Sequence, residues 1–258
     1  MGQTLVFFSR MPLMLLATIC TLALPLGATA GCKLRVGWDD WPPYITYANG
    51  RFQGLEYKLL KATADAAGCT LEMIHVPWIR ALSMLGENAL DLLYGADYSE
   101  ERARFARFSI PYRNQAFVLV TRGKPSHEKH SISLSAWLHS PKAGQSPLNL
   151  GLFQGDFYGQ KIERVLKESS KEVILIRLNT TRQMVGMLAL GRLDGFIVED
   201  GVARMELASA RFPMRSFIIR EEVTDPLYYM FSVKVSDDVI KRFDAAIRER
   251  QSQTKDGW

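Results

Sequence analysis

The hydrophobic positions of this chain change period repeatedly, and each change marks an element. Residues 34–38 alternate apolar and polar side chains, the period of a strand. Residues 54–67 place Leu55, Leu59 and Ala62 on one helical face before Gly68 stops the run. A second strand is predicted over 70–76. Pro77 then opens a helix through Trp78, Ile79, Leu82 and Leu85, which Gly86 ends, and 90–95 is a third strand. Strand and helix alternate, which argues for a sheet with parallel neighbours. Between the first strand and the first helix, Asp39-Asp40-Trp41-Pro42-Pro43-Tyr44 carries two prolines and reads as a stiff loop. Asn49-Gly50 is a turn signal.

After a strand over 116–121 the character changes. Residues 123–147 are polar and rich in Ser and Lys, and only 134–138 has helical spacing. A second alternation follows, with strands over 150–153, 173–178 and 195–198 and helices over 159–167, 181–190 and 202–210. Residues 217–219 and 228–235 are strand-like, and 237–250 is a closing amphipathic helix. The pattern predicts two α/β lobes joined by extended segments near 113–121 and 216–227.

An internal echo supports two lobes. In 84–91 and again in 187–194, a helix stops at glycine and Leu-Asp starts a strand. The first of these strands ends in Asp97 and the second in Glu199-Asp200. Ligands of open α/β sheets bind beyond the carboxyl ends of the strands. Two such lobes facing each other make a cleft, with Asp39, Trp41, Asp97, Arg102, Glu199 and Asp200 at or near its rims. Arg102 closes the polar turn Asp97-Tyr98-Ser99-Glu100-Glu101. Its guanidinium is a planar fork suited to a carboxylate. Read alone, it is more readily a surface arginine paired with Glu100 or Glu101; the two-lobe pattern turns the balance toward the ligand.

Composition narrows the classes. The chain has 258 residues, of which 47% are hydrophobic and 23% charged, an ordinary globular make-up. A net charge of +5 without a basic run makes nucleic acid a poor partner. Residues 1–30 have the layout of a secretory signal: Arg10, an apolar stretch over 11–26, and Ala28-Thr29-Ala30 as the cleavage site. The competing reading is a membrane anchor, against which Pro25 and Gly27 break a run already short for a span. Cys20 leaves with the signal. Cys32 and Cys69 then form an even pair in an export context, each just before a predicted strand, so a disulfide is expected. The rival reading makes Cys32 a lipid-modified residue after Thr29-Ala30-Gly31. It leaves Cys69 without a partner.

At this point the chain resembles the extracytoplasmic solute-binding proteins of family 3, which serve ABC importers of polar amino acids. The likeness spans the mature chain and rests on ordered blocks: Gly37-Trp38-Asp39, Pro43-Tyr44, Gly54-Leu55, residues 86–91, Ser99-Glu100-Glu101-Arg102, residues 108–112, 151–155 and 190–194. It implies a two-lobed fold of the type II periplasmic-binding-protein kind, each lobe a mostly parallel sheet flanked by helices, with two hinge crossings. Residues 31–116 with 222–258 would form one lobe and 117–221 the other. It implies roles by position. Arg102 holds a ligand α-carboxylate, and Glu199, with Asp200 beside it, holds an α-ammonium. Asp39 lies near the ligand, and Trp41 and Trp78 wall it. Asp156, Phe157 and Tyr158 follow Gly155 at a helix start that receives the carboxylate.

There are departures. Asp97 and Asp156 stand where the family carries hydroxyl-type residues, and an acid there repels a carboxylate unless a cation or proton intervenes. Both suit an amine-bearing ligand. The chain also ends at Asp256-Gly257-Trp258, where family members usually continue into a short helix. Each candidate has a plainer role: Trp41, Trp78 and Tyr44 as core aromatics, Glu199 or Asp200 as a helix cap with the other facing the cleft. His127, His130 and His139 lack metal-ligand spacing and read as solvated, and His75 as a strand histidine. The expected function is capture of a small polar solute, with no cofactor or metal. The solute would be presented by a monomer in the periplasm to a membrane ABC permease. The alternatives are a sensory binding protein and a dehydratase-like enzyme on the same fold.

Overall fold

The computed structural model describes residues 1–3, 31–124, 130–140, 147–222 and 224–253. The predicted signal beyond its first three residues, Cys20, His127 and the terminal Asp256-Gly257-Trp258 lie outside the described residues. From Gly31 onward the chain builds one compact unit. It opens with β1 (Cys32–Trp38), a hairpin of β2 (Thr46–Ala48) and β3 (Arg51–Gln53), and α1 (Leu55–Ala66). β4 (Cys69–His75), α2 (Trp78–Gly86), β5 (Leu92–Asp97), the single turn α3 (Glu100–Ala103), β6 (Ala106–Phe108) and β7 (Arg113–Gln115) follow. Next come β8 (Phe117–Arg122), β9 (His130–Ile132), α4 (Leu134–Leu138), β10 (Leu148–Phe153), α5 (Gln160–Glu168) and β11 (Val173–Leu178). The chain continues through α6 (Thr181–Ala189), β12 (Gly195–Glu199), α7 (Asp200–Ser209) and β13 (Met214–Ile219), then returns to β14 (Asp225–Ser232) and α8 (Asp237–Gln253).

These strands form two six-stranded sheets. The first runs β4-β1-β5-β14-β6 with β7 paired to β14, and the second runs β11-β10-β12-β8-β13-β9. The heart of each is parallel: β1 with β4 and β5, and β10 with β11 and β12. β14 and β8 join antiparallel. Helical crossovers within one lobe force parallel pairing, whereas a strand arriving from the other sheet carries no such constraint. The chain passes from β7 to β8 through Ala116 alone and returns between β13 and β14. Strands β6, β7 and β9 were not predicted, because three residues are too few to show a period.

Both faces of each sheet are covered. Leu60 of α1 and Phe243 of α8 pack with Val36, Tyr229 and Phe231 on one face of the first sheet, and Leu85 of α2 packs with Leu90, Leu93 and Met230 on the other. In the second sheet Ile162 and Leu166 of α5 meet Leu119 and Leu150, while Met184 and Leu188 of α6 meet Val120 and Phe196. The repeated Leu-Asp proves to be a backbone lock. Asp91 Oδ2 accepts from Arg35 N at 2.8 Å, and Asp194 Oδ2 accepts from Asn149 N at 2.8 Å. Each thus fastens its strand to the parallel neighbour at the amino end, leaving the carboxyl ends to form the cleft.

Cys32 and Cys69 are opposite each other in the β1–β4 register and form a disulfide, with Cα atoms 4.4 Å apart. Closing a loop of this length stabilises by about 4 kcal/mol in the chain-entropy model. Reduction, or the double replacement Cys32→Ser with Cys69→Ser, is therefore expected to lower the unfolding free energy by about that amount. Urea titration with and without reductant measures it, and overlapping curves would refute the estimate.

Candidate functional site

β5 ends in Asp97, and Ser99 then caps α3, its Oγ accepting from Arg102 N at 3.2 Å. That single turn folds the Arg102 side chain back over the strand end, where it is only 6% exposed. Its Nη1 donates to the Asp97 carbonyl at 2.9 Å and lies 3.7 Å from Asp97 Oδ2. Its Nη2 donates to the Gly155 carbonyl, also at 2.9 Å. Trp78 is the first residue of α2 after Pro77; its ring lies 5.7 Å from the guanidinium, and its Nε1 donates to the same Gly155 carbonyl at 3.3 Å. Gly155 belongs to the segment after β10, so two donors from the first sheet's side converge on one carbonyl of the second's. Gly155 has φ +86°, and a Cβ there would come within 2.9 Å of Ile79 Cδ1. The positive φ is what calls for glycine here.

Asp97 is buried. Its Oδ1 accepts from Gln115 Nε2, and the same Nε2 lies 3.3 Å from Asp225 Oδ2. Gln115 ends the strand leaving the first sheet and Asp225 begins the strand returning to it. Burial raises the Asp97 carboxyl well above the usual range, and hydrogen bonding with and repulsion from Asp225 add to this against the pull of Arg102. A carboxyl shifted in this direction keeps its proton to higher pH than an ordinary aspartic acid, which lessens the conflict expected from an acid beside a carboxylate anchor.

A cavity of about 560 Å³ opens beside Arg102. Ile79, Leu82 and Phe105 form its apolar wall, and Asp156, Phe157 and Arg177 face them. Asp156 keeps some surface toward the cavity, yet burial pushes its carboxyl up to about 6, with Arg102 and Arg177 opposing. Tyr158 is not at this surface. It is 1% exposed, packs on Phe117 at 5.0 Å between centroids, and its hydroxyl accepts from Phe153 N at 2.7 Å. The turn at Gly155 sends the next aromatic outward and this one into the core.

At the other end of the cleft, Glu199 ends β12 and caps α7, its Oε2 accepting from Gly201 N at 2.7 Å and Val202 N at 3.3 Å. Glu199 also faces the first sheet's side: the point that a Cβ on Gly201 would occupy lies 2.2 Å from the Tyr44 hydroxyl and 3.1 Å from Glu199 Oε2. One acid thus has both tasks that the sequence had divided between Glu199 and Asp200. Asp200 instead pairs with Arg204 along the helix surface. Burial raises the Glu199 carboxyl, while Tyr44 and Arg113 pull it down. The Tyr44 and Trp41 rings lie 4.7 Å apart with a 45° tilt, Trp41 seats on Gly95, and the Arg113 guanidinium lies 4.7 Å from the Tyr44 ring. Arg113 is held by a buried ion pair with Glu56, whose other oxygen accepts from the Tyr112 hydroxyl at 2.5 Å. Asp39 lies 3.6 Å from His75 Nε2, at a partly exposed edge. Among the described residues no group of His, Cys, Asp and Glu could hold a metal ion.

Glu56, Arg113, Gln115 and Asp225 were missed, and Tyr44 had been given a core role only. Tyr44 stands in the Pro43-Tyr44 block, and the other four stand in no motif. The one available signal was position, since Arg113, Gln115 and Asp225 lie in the segments predicted to cross between lobes.

Residues 34–255 match the bacterial extracellular solute-binding proteins, family 3. The chain belongs to that family. No curated protein matches it by sequence. Among solved structures, the substrate-binding protein of an amino acid ABC transporter shares the fold at TM-score 0.67 and 20% identity, covering 86% of this chain and 95% of that one. AbpA from Streptococcus pneumoniae, bound to L-arginine, gives TM-score 0.67 at 20% identity over 86% of this chain and 90% of that one. An ancestral amino acid-binding protein, a precursor of cyclohexadienyl dehydratase, gives 0.65 at 19% identity over 85% and 89%. At these identities the likeness establishes the fold. Among the described residues of this family 3 protein, no helix is long and apolar enough to cross a membrane.

The raised Asp97 carboxyl makes a stability prediction with a definite sign. Below its unfolded-state pKa of roughly 4, both states are protonated and nothing is lost. As pH rises from there toward the folded-state value, the unfolded chain releases a proton that the folded one keeps, and stability falls. Asp97→Asn preserves the shape of the protonated acid and removes this slope. Melting temperatures of the two proteins should converge below pH 4, with the variant higher at pH 7. A variant less stable at both pH values would show that Asp97 is ionised.

Proposed function

We propose that this protein is a non-catalytic extracytoplasmic binding protein. It captures a small solute bearing a carboxylate and an amine, an amino acid or a close relative, and presents it to an ABC importer. In this reading the lobes are 31–116 with 222–258, and 117–221, and they close on the two crossings by hinge motion. The solute carboxylate replaces the Gly155 carbonyl on Arg102, and its ammonium docks on Glu199. The observation that carries the reading is the buried Arg102, a first-sheet guanidinium directed across the cleft at the second sheet's backbone. A buried arginine commits to acceptors, and a carboxylate offers two where a carbonyl offers one.

Both signs of charge line the site: Asp156 shares its cavity with Arg102 and Arg177, and Glu199 lies near Arg113. A solute bearing a carboxylate and an amine meets a partner for each. Arginine-bound relatives share the fold, which supports this class. Removal of residues 1–30 on export places the protein where such solutes are captured.

Isothermal titration of residues 31–258 against L-arginine, L-lysine, L-glutamine and small amines tests the reading. At least one amine-bearing solute should bind, and Arg102→Ala should weaken it at least about thirtyfold, as expected for truncating a buried charged partner. Equal affinity for the variant would defeat the proposal.

A further inference from the structure

The cleft is built on the carboxyl ends of the parallel strands. At the opposite end of the second sheet lies a feature that the cleft does not use. A cavity of about 330 Å³ opens there, the size of a small-ligand site. Arg122, Arg215, Asp194, Trp137, Ile132 and Phe217 line it. Thr121 and Arg122 end β8 and face Arg215 and Met214 in register near the start of β13. Gly195 pairs with Thr121 and begins β12, which runs to Glu199 at the cleft, about 13 Å along the strand. None of the cleft residues described above borders this cavity.

Both arginines are exposed, and each is laid over a ring. The Arg122 guanidinium lies 5.7 Å from the Phe212 ring and that of Arg215 lies 4.8 Å from the Phe217 ring. Such a contact orients a guanidinium without using its N–H donors, which lie in its own plane. Among the described residues neither guanidinium forms an ion pair or donates a hydrogen bond. The first sheet fills the corresponding place differently. There Arg35 closes on Asp91 with Nε at 2.9 Å and Nη2 at 2.7 Å. In the second sheet the counterpart of Arg35 is Asn149, which gives Asp194 its backbone N–H, and neither Arg122 nor Arg215 pairs with that acid. The surrounding charge has the sign of the two arginines. Residues 117–221 contain 15 Lys and Arg against 10 Asp and Glu, an excess equal to the whole net charge of +5.

We propose that this pocket is a second binding site, for an oxyanion borne on an aromatic ring, an aryl carboxylate or aryl phosphate. Arg122 and Arg215 turn planar forks of donors to the oxygens, a geometry that suits carboxylate and phosphate alike. Trp137, Phe217 and Ile132 give the ring an apolar wall, against which aromatic pairing adds to the area buried. A bare inorganic anion gains the first part alone, and a cationic ring the second alone. The excess positive charge of residues 117–221 draws such anions toward the site. The inference is independent of what the cleft binds.

Titration calorimetry with phenyl phosphate, benzoate, inorganic phosphate and benzylamine tests it. At least one aryl anion should bind, inorganic phosphate should bind at least about fivefold more weakly than phenyl phosphate, and benzylamine should give no heat. Arg122→Ala and Arg215→Ala should each weaken the aryl anion about tenfold, the scale of one hydrogen bond to a charged group. Both side chains are exposed, so melting temperatures should stay nearly unchanged. Arg102→Ala, which removes the cleft anchor, should leave the affinity as it was. Binding that is lost in Arg102→Ala and kept in the two pocket variants would put the probe in the cleft and overturn the proposal. Equal affinity for phenyl phosphate and inorganic phosphate would overturn it too, as would the absence of binding by either aryl anion at millimolar concentration.

Discussion

Burying a guanidinium constrains everything around it. Arg102 cannot lose its charge, and an unpaired buried charge is costly enough that the fold has to supply acceptors. Two come from backbone carbonyls, those of Asp97 and Gly155. The second lies in the other half of the molecule, so the charge of one residue ties the relation between two sheets. The same demand accounts for Gly155, whose positive φ disfavours any residue with a side chain. It accounts for Trp78 as well, which covers the guanidinium with its ring and shares the carbonyl with its Nε1.

The crossings meet the same constraint with a different answer. Asp97 is buried, its carboxyl is raised by that burial and by the neighbouring Asp225, and Gln115 offers one amide to the pair. Arg113 and Glu56 solve their burial by pairing, although a buried pair offers little net stability against apolar residues of the same size. Its role is positional, since removing one partner would leave the other charged and unpaired, at a cost of about 3–5 kcal/mol. The strands that cross between lobes therefore carry polar groups whose partners lie in the first sheet and α1, which fixes where the crossings leave it.

How much of this was legible depended on how far apart in the chain the partners stand. The alternation of periods predicted two lobes, the glycine-stopped helices and the cystine, because each is a local pattern. Arg102 was legible through the Ser-Glu-Glu turn that precedes it and Glu199 through the strand end it occupies. Gln115 and Asp225 are 110 residues apart and Glu56 and Arg113 are 57 apart, and no spacing links either pair. Tyr44 looked structural because a proline-rich loop with aromatics usually packs inward; its ring does pack, and its hydroxyl ends beside Gly201 at the start of α7. Tyr158 was misplaced for the converse reason. Its neighbours at 155–157 border the cavity, and one further step of the turn reverses the side chain into the core.

The cleft is bridged where Arg102 and Trp78 reach the Gly155 carbonyl, and at its other end Tyr44 comes up beside Glu199 and the first turn of α7. In the proposed reading a solute carboxylate takes the guanidinium from that carbonyl, so binding begins with an exchange of one acceptor for another. Glu199 differs, because two backbone N–H groups already engage one of its oxygens. An ammonium adds to those bonds and replaces neither. The two charged ends of such a solute therefore meet different demands, one paid by exchange and one by addition, and a solute with only a carboxylate gains the first alone.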